Sequence, residues 1–257
     1  MQFRKQASLI CVLAALAAAA DLPYAGKWKL NIAKSDFGET TVTYAQLAGG
    51  EMQATSDGLS YKFKMDGKDY PDPYGDMVSW KALDASTWQV TSKLNGKMID
   101  SDTLKLSADG TSLTVNSKAS NASGGTTDST TVFQRVSGGP GLAGKWKTKN
   151  YQSSSPTTME LAPSGTDGLT FKIVDEGVVC EAKFDGADHS CTGPTVAAGW
   201  TIVIAKAGAR AFDMTTKRNG QTLYKTTYTA SADGKTLTES GGATGVAEKI
   251  KIVYDRQ

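Results

Sequence analysis

The sequence predicts an all-β chain folded as two tandem antiparallel up-and-down β-barrels, each of about eight or nine short strands. Three observations predict it. A repeat runs through both halves of the chain, Asp-Gly and Asn-Gly pairs recur at hairpin spacing, and the segments between them alternate apolar with polar residues.

The repeat is the strongest of these. Gly26-Lys27-Trp28 answers Gly144-Lys145-Trp146, and Met65-Asp66-Gly67 answers Phe184-Asp185-Gly186. Lys93-Leu94-Asn95-Gly96 answers Lys217-Arg218-Asn219-Gly220, Ser107-Ala108-Asp109-Gly110 answers Ser231-Ala232-Asp233-Gly234, and Val132 to Arg135 answers Val253 to Arg256. The offset stays between 118 and 124 residues, so the repeated unit is a whole domain and the differences are loop insertions.

Taken in chain order, residues 1–20 read as a secretory signal peptide. Arg4 and Lys5 precede an apolar run from Ala7 to Ala20, and Ala18-Ala19-Ala20 stands before Asp21. That run is too short for a membrane span, and no later segment approaches the roughly 20 apolar residues a spanning helix needs. A lipid anchor on Cys11 is disfavoured because Leu9-Ile10 puts no small residue before it. Secretion, to the periplasm or the medium, is the expectation. Without Arg4 and Lys5, the 28 basic residues become 26 against 26 acidic ones. A balanced charge with no Lys/Arg cluster argues against nucleic acid as a partner.

The first copy is expected over residues 21–136. One helical turn is expected around Ala33 to Phe37, and turns at Asp57-Gly58, Asp66-Gly67, Asn95-Gly96 and Asp109-Gly110. Between them Leu59, Tyr61, Phe63 and Met65 alternate with Ser60, Lys62 and Lys64, while Trp88 and Val90 alternate with Gln89 and Thr91. Ser137-Gly138-Gly139-Pro140-Gly141 cannot continue a strand, so residues 137–141 are expected to be a mobile linker, followed by the second barrel over 142–257. So many hairpin-linked strands must close on themselves to protect their edges.

Cys180 and Cys191 flank Asp185-Gly186. A two-residue turn there sets the two cysteines directly opposite each other, within the Cα separation that a disulfide accepts. An exported, oxidising location favours the bond. A metal site is disfavoured, because His189 is the only histidine and completes no ligand set.

A Gly-x-Trp on the first strand with an Arg at the end of the last resembles the signature of the calycin barrels: lipocalins, fatty-acid-binding proteins and avidin-like proteins. The chain also looks like secreted lipocalin-like proteins of soil bacteria through Asp66-Gly67-Lys68-Asp69-Tyr70-Pro71. The resemblance implies that each Arg packs on the Trp of its own copy and closes the barrel, Arg135 on Trp28 and Arg256 on Trp146. The second and third lipocalin motifs are not recognisable, and Trp146 and Trp200 are too few for an avidin-like biotin pocket.

The expected function is that of a secreted, non-enzymatic binding protein, holding a small, mostly apolar molecule in a barrel pocket. Tyr61, Phe63, Tyr70, Trp80, Trp88 and Phe212 are the candidate ligand contacts, with simple core packing as the alternative. Trp80 and Trp88 become Ile204 and Phe212 in the second copy, so the two interiors should differ. One competing reading is a non-catalytic interaction module with filled barrels; another is a calycin-type enzyme using pocket carboxylates and tyrosines. No catalytic residue can be named, since no Gly-x-Ser-x-Gly elbow or oriented base is present. No cofactor, zinc spacing or phosphate loop is expected. Lys68-Asp69-Tyr70 and Asp72-Tyr74-Asp76 put acids and aromatics in one loop that could bind sugar or a cation, and a solvated loop explains them better.

Overall fold

The computed structural model describes residues 22–154, 157–247 and 249–257. The signal-peptide reading of residues 1–20 lies outside them. Among the described residues the first copy contributes β1 (Gly26–Leu30), β2 (Thr41–Gln46), β3 (Met52–Ser56), β4 (Leu59–Phe63) and β5 (Asp66–Pro71). It continues with β6 (Met77–Ala82), β7 (Thr87–Leu94), β8 (Lys97–Leu106), β9 (Ser112–Ser120) and β10 (Thr126–Ser137). From the second copy come β11 (Gly144–Ser153), β12 (Thr158–Pro163), β13 (Gly168–Ile173), β14 (Val178–Lys183) and β15 (His189–Thr192). The last five are β16 (Trp200–Gly208), β17 (Ala211–Arg218), β18 (Gln221–Ala230), β19 (Thr236–Ala243) and β20 (Ile250–Arg256). Each copy thus has ten strands, slightly more than expected.

Turn chemistry explains the meander. Asp57, Asn95 and Asn219 hold φ of 52°, 51° and 48°, each followed by a Gly at positive φ, the type I′ geometry that matches the twist of paired strands. The expected helical turn is a short 3-10 turn over Ile32–Lys34, whose Lys34 N–H is accepted by the Asn31 side chain.

The strands form two antiparallel ten-stranded barrel-like sheets, one closed and one nearly so, but these sheets are not the two contiguous halves of the chain. The first strand is exchanged. β1 pairs with β12 and β20 and closes the barrel made by β12 to β20, while β11 pairs with β10 and β2 and belongs to the sheet of β2 to β10. The stacked pairs implied by the calycin resemblance are exchanged accordingly. Arg256 lies 4.1 Å over the Trp28 ring, and Arg135 lies 4.0 Å over the Trp146 ring.

Chain connectivity supplies the reason. Once the last strand of a copy is laid down, β11 follows β10 directly, whereas β1 lies a whole copy away. Closing the short hairpin in place of the long loop lowers the closure cost by roughly 2 kcal/mol, and the repeated Gly-Lys-Trp lets β1 take the equivalent place beside β20. Residues 137–141 are therefore the turn of a hairpin inside one sheet. They are also held in place: the Arg135 guanidinium donates to the carbonyls of Gly139, Gly141 and Ala143 at 2.6 to 2.8 Å.

The motif glycine has its own physical cause. Gly144 sits at φ 147°, and a Cβ there would stand 2.8 Å from Arg135 Nη1; Gly26, at φ 146°, is approached in the same way by Arg256. Beneath each guanidinium the indole is fully buried, and its N–H donates to a backbone carbonyl four residues back, Trp28 to Tyr24 and Trp146 to Leu142, each at 2.9 Å. Those rings anchor two separate cores, one per sheet.

At one place the copies part. β14 and β15 pair through Val179–Thr192 and Cys180–Cys191, and the two cysteines form the expected disulfide. The turn between them is wider than two residues, since the strands stop at Lys183 and resume at His189. In the other sheet the equivalent strands β4 and β5 are the two edges and do not pair with each other; Asp66-Gly67 begins β5 itself, beside a register shift against β6, and makes no hairpin.

Candidate functional site

Interior volume depends on what points inward. In the nearly closed sheet Phe63 stacks on Trp80 with centroids 4.4 Å apart, Tyr44 meets the edge of Trp80 at 5.6 Å, and the Trp80 N–H donates to Tyr61 Oη at 3.0 Å. By register and offset these positions become Ala182, Ile204, Leu161 and Cys180 in the closed barrel. Of these four only Cys180 lines the cavity of about 480 Å³ that the closed barrel contains; Ala182, Ile204 and Leu161 are buried in its core.

The closed barrel is solid at one end and hollow at the other. Around Trp28 the side chains of Leu161, Leu169, Ile204, Phe212 and Leu237 are all essentially inaccessible, and Phe212 is stacked on Tyr228 at 4.9 Å. Beyond Tyr228 the cavity begins. Alternate residues of successive strands face into it: Phe171 and Ile173 on β13, Trp200 and Ile202 on β16, Met214 and Thr216 on β17, and Tyr224, Thr226 and Tyr228 on β18. Both disulfide cysteines and the exposed Glu176 also line it.

Thr157, Thr195, Thr216 and Tyr224 contribute hydroxyls to the lining, and a carboxylate group lies on β18 to β20. Glu239 on β19 stands opposite Tyr228 on β18, and the Tyr254 hydroxyl of β20 donates to Glu239 Oε2 at 2.9 Å. Burial raises the Glu239 pKa, while the hydrogen bonds from Tyr254 and Tyr228 pull it back down. The same burial, with Glu239 beside them, pushes both tyrosine hydroxyls up, so they stand as donors. Thr226 is 8% exposed, and its Oγ1 has no hydrogen-bond partner among the described residues. The lining contains no Lys, Arg or His.

The mouth is braced from the other sheet. The loop Asp72 to Asp76 is folded by the Asp72 carboxylate, which accepts the N–H groups of Gly75 and Asp76, each at 2.8 Å. From it the Tyr74 carbonyl accepts the Trp200 indole N–H at 3.1 Å, the Pro73 carbonyl accepts Arg218 Nη1, and the Tyr74 and Tyr224 hydroxyls lie 3.4 Å apart. Gly75, at φ 105°, is closely covered, since a Cβ there would stand 2.6 Å from the Ala197 Cβ. This loop therefore holds two cavity residues, Trp200 and Tyr224, rather than standing free in solvent.

None of the six candidate contacts read from the sequence lines this cavity. Phe63, Trp80, Trp88 and Phe212 are buried core, Tyr61 bonds Trp80, and Tyr70 sits at the β5 edge with its hydroxyl donating to Asp66 at 3.1 Å. Glu239, Thr226, Tyr228 and Tyr254 stand in no recognisable motif, although the inward period of Tyr224, Thr226 and Tyr228 against Lys225, Thr227 and Thr229 is legible. His189 lies in its own hairpin turn, with Nε2 2.9 Å from Asp185 Oδ1. Among the described residues no group of three or more His, Cys, Asp or Glu could hold a metal ion, and no helix is long and apolar enough to cross a membrane. The chain matches no protein-family model, no curated protein and no solved structure.

Proposed function

We propose that the chain is a non-enzymatic binding protein whose closed barrel holds one small, mostly apolar molecule. One observation carries the reading: a cavity of about 480 Å³, walled largely by aromatic and aliphatic side chains, with Glu239, Tyr254, Tyr228 and Thr226 together on the wall of β18 to β20. That size and make-up is the usual form of a small-molecule site, and it sits where a calycin-like barrel would carry its ligand. The disulfide agrees with the export read from residues 1–20. In this reading the other sheet is a filled scaffold whose loop Asp72 to Asp76 supports the cavity mouth.

A neutral apolar dye titrated against the full chain tests the proposal, with Trp200 fluorescence as a second signal from the cavity wall. Saturable binding of one dye is expected, and Met214→Trp should abolish it by filling the cavity while the fold stays intact by circular dichroism. Dye binding that survives Met214→Trp would place the site elsewhere and sink the reading.

A further inference from the structure

Resting on the cavity as the binding site, we infer that its ligand is an apolar molecule carrying an ammonium group, recognised by Glu239. Three observations converge on this. First, the polar group of the cavity is acidic: Glu239 faces it, Glu176 stands at its mouth, and no Lys, Arg or His lines it. Second, the carboxylate is prepared as an acceptor. The hydroxyl of Tyr254 donates to it at 2.9 Å, Tyr228 stands opposite it across the strand pair, and an ionised carboxylate with about four lone-pair sites still has capacity. Third, Thr226 presents a buried Oγ1 with no hydrogen-bond partner among the described residues, two residues from Tyr228 on the same face of β18 and beside the strand that carries Glu239.

A carboxylate half-buried among apolar walls with no cation beside it is costly, and a buried hydroxyl without a partner leaves a hydrogen bond unmade. A primary ammonium answers both, because it brings a positive charge and three donors on one small head. Its first donor satisfies Glu239, and a second reaches a neutral acceptor such as Thr226 Oγ1. The hydrocarbon part then lies against Met214, Ile202, Phe171 and Trp200. A carboxylate ligand would meet like charge with no basic residue to offset it, and an alcohol would satisfy the geometry without neutralising the charge.

The test uses octylamine, octanol and octanoate as competitors of the neutral dye on the full chain, with wild type and Glu239→Gln. The amine should bind about tenfold to a hundredfold more tightly than octanol, as expected for a hydrogen bond to a charged group, with octanoate weakest. Glu239→Gln should erase that preference and leave octanol unchanged. Thr226→Val, nearly isosteric, should weaken the amine by a smaller factor. Equal affinity for octylamine and octanol, or a preference that survives Glu239→Gln, overturns the inference while the cavity remains the binding site. If the dye itself does not bind, the cavity reading falls and this inference falls with it.

Discussion

Replacing Trp28 by Ala should loosen the barrel that the rest of its own sequence half does not build. Trp28 has no accessible surface, carries Arg256 at 4.1 Å over its ring, and donates its indole N–H to Tyr24 at 2.9 Å. Removing a buried ring of this size costs about 3 to 5 kcal/mol, to which the lost cation–π contact adds part of a further 0.5 to 2 kcal/mol. The strands that lose their neighbour are β12 and β20, through Met159 and Arg256. Native-state hydrogen exchange reads this directly. Amides of β12, β13, β19 and β20 should exchange roughly a hundredfold to several thousandfold faster, while β7 to β10 keep their protection. Trp146→Ala should show the reverse, exposing β2, β9 and β10. If Trp28→Ala instead released β9 and β10 and spared β20, the exchange of first strands would be wrong, and each copy would close on itself.

Other consequences are open to the same kind of check. A protease site placed in residues 137–141 should give two fragments that co-elute under native conditions, because each fragment contributes a buried Trp strand to the sheet built mostly by the other; separation on a sizing column would refute this. Reduction of Cys180–Cys191, which cross-links residues 11 apart, should lower unfolding free energy by about 3 kcal/mol in denaturant titrations, since only two residue pairs otherwise join β14 to β15; an unchanged midpoint would mean that the seam holds without it. Stability should also fall as pH rises. Asp76 is pushed up to about 6 by burial and then by Asp72, with Arg218 opposing, and Asp100 is raised by burial and then by Asp102. Raised carboxyls are protonated in the fold where the unfolded chain has already ionised, so their stabilisation is complete below the ordinary carboxylate range and is lost toward pH about 6 for Asp76. Asp100→Asn should therefore raise the melting midpoint more near pH 8 than near pH 4; equal gains at both would show that burial does not perturb this pair.

Much of the architecture was legible because hairpin chemistry is local. Asn95-Gly96 and Asn219-Gly220 adopt the turn they encode, and Cys180 meets Cys191 in the register that a turn at Asp185-Gly186 implies. Asp66-Gly67 was not legible in the same way. The same dipeptide lies inside β5 beside a register shift against β6, β4 and β5 do not pair with each other, and they lack the disulfide that holds β14 to β15. The aromatics of the first copy read as pocket wall in the sequence, and they are the side chains that fill the interior; the hollow of the closed barrel lies beyond Tyr228, against Phe171, Ile202, Met214 and Thr226. A large inward aromatic marks a wall only if its neighbours are small, and neighbours across a barrel are not adjacent in sequence.

By itself the amino-acid order determined the β class, the doubled unit, the turn positions and the opposed cysteines, since each depends on residues a few positions apart. Which Trp lies under which Arg was assigned within each copy, Arg135 on Trp28 and Arg256 on Trp146, and the structure exchanges them, because Gly26-Lys27-Trp28 and Gly144-Lys145-Trp146 fit either barrel equally well. Tertiary structure decided it through loop closure, pairing β10 with the strand that follows it and sending β1 to complete the other barrel. It also decided where volume remains, since a cavity depends on side chains that meet only after the sheet has closed.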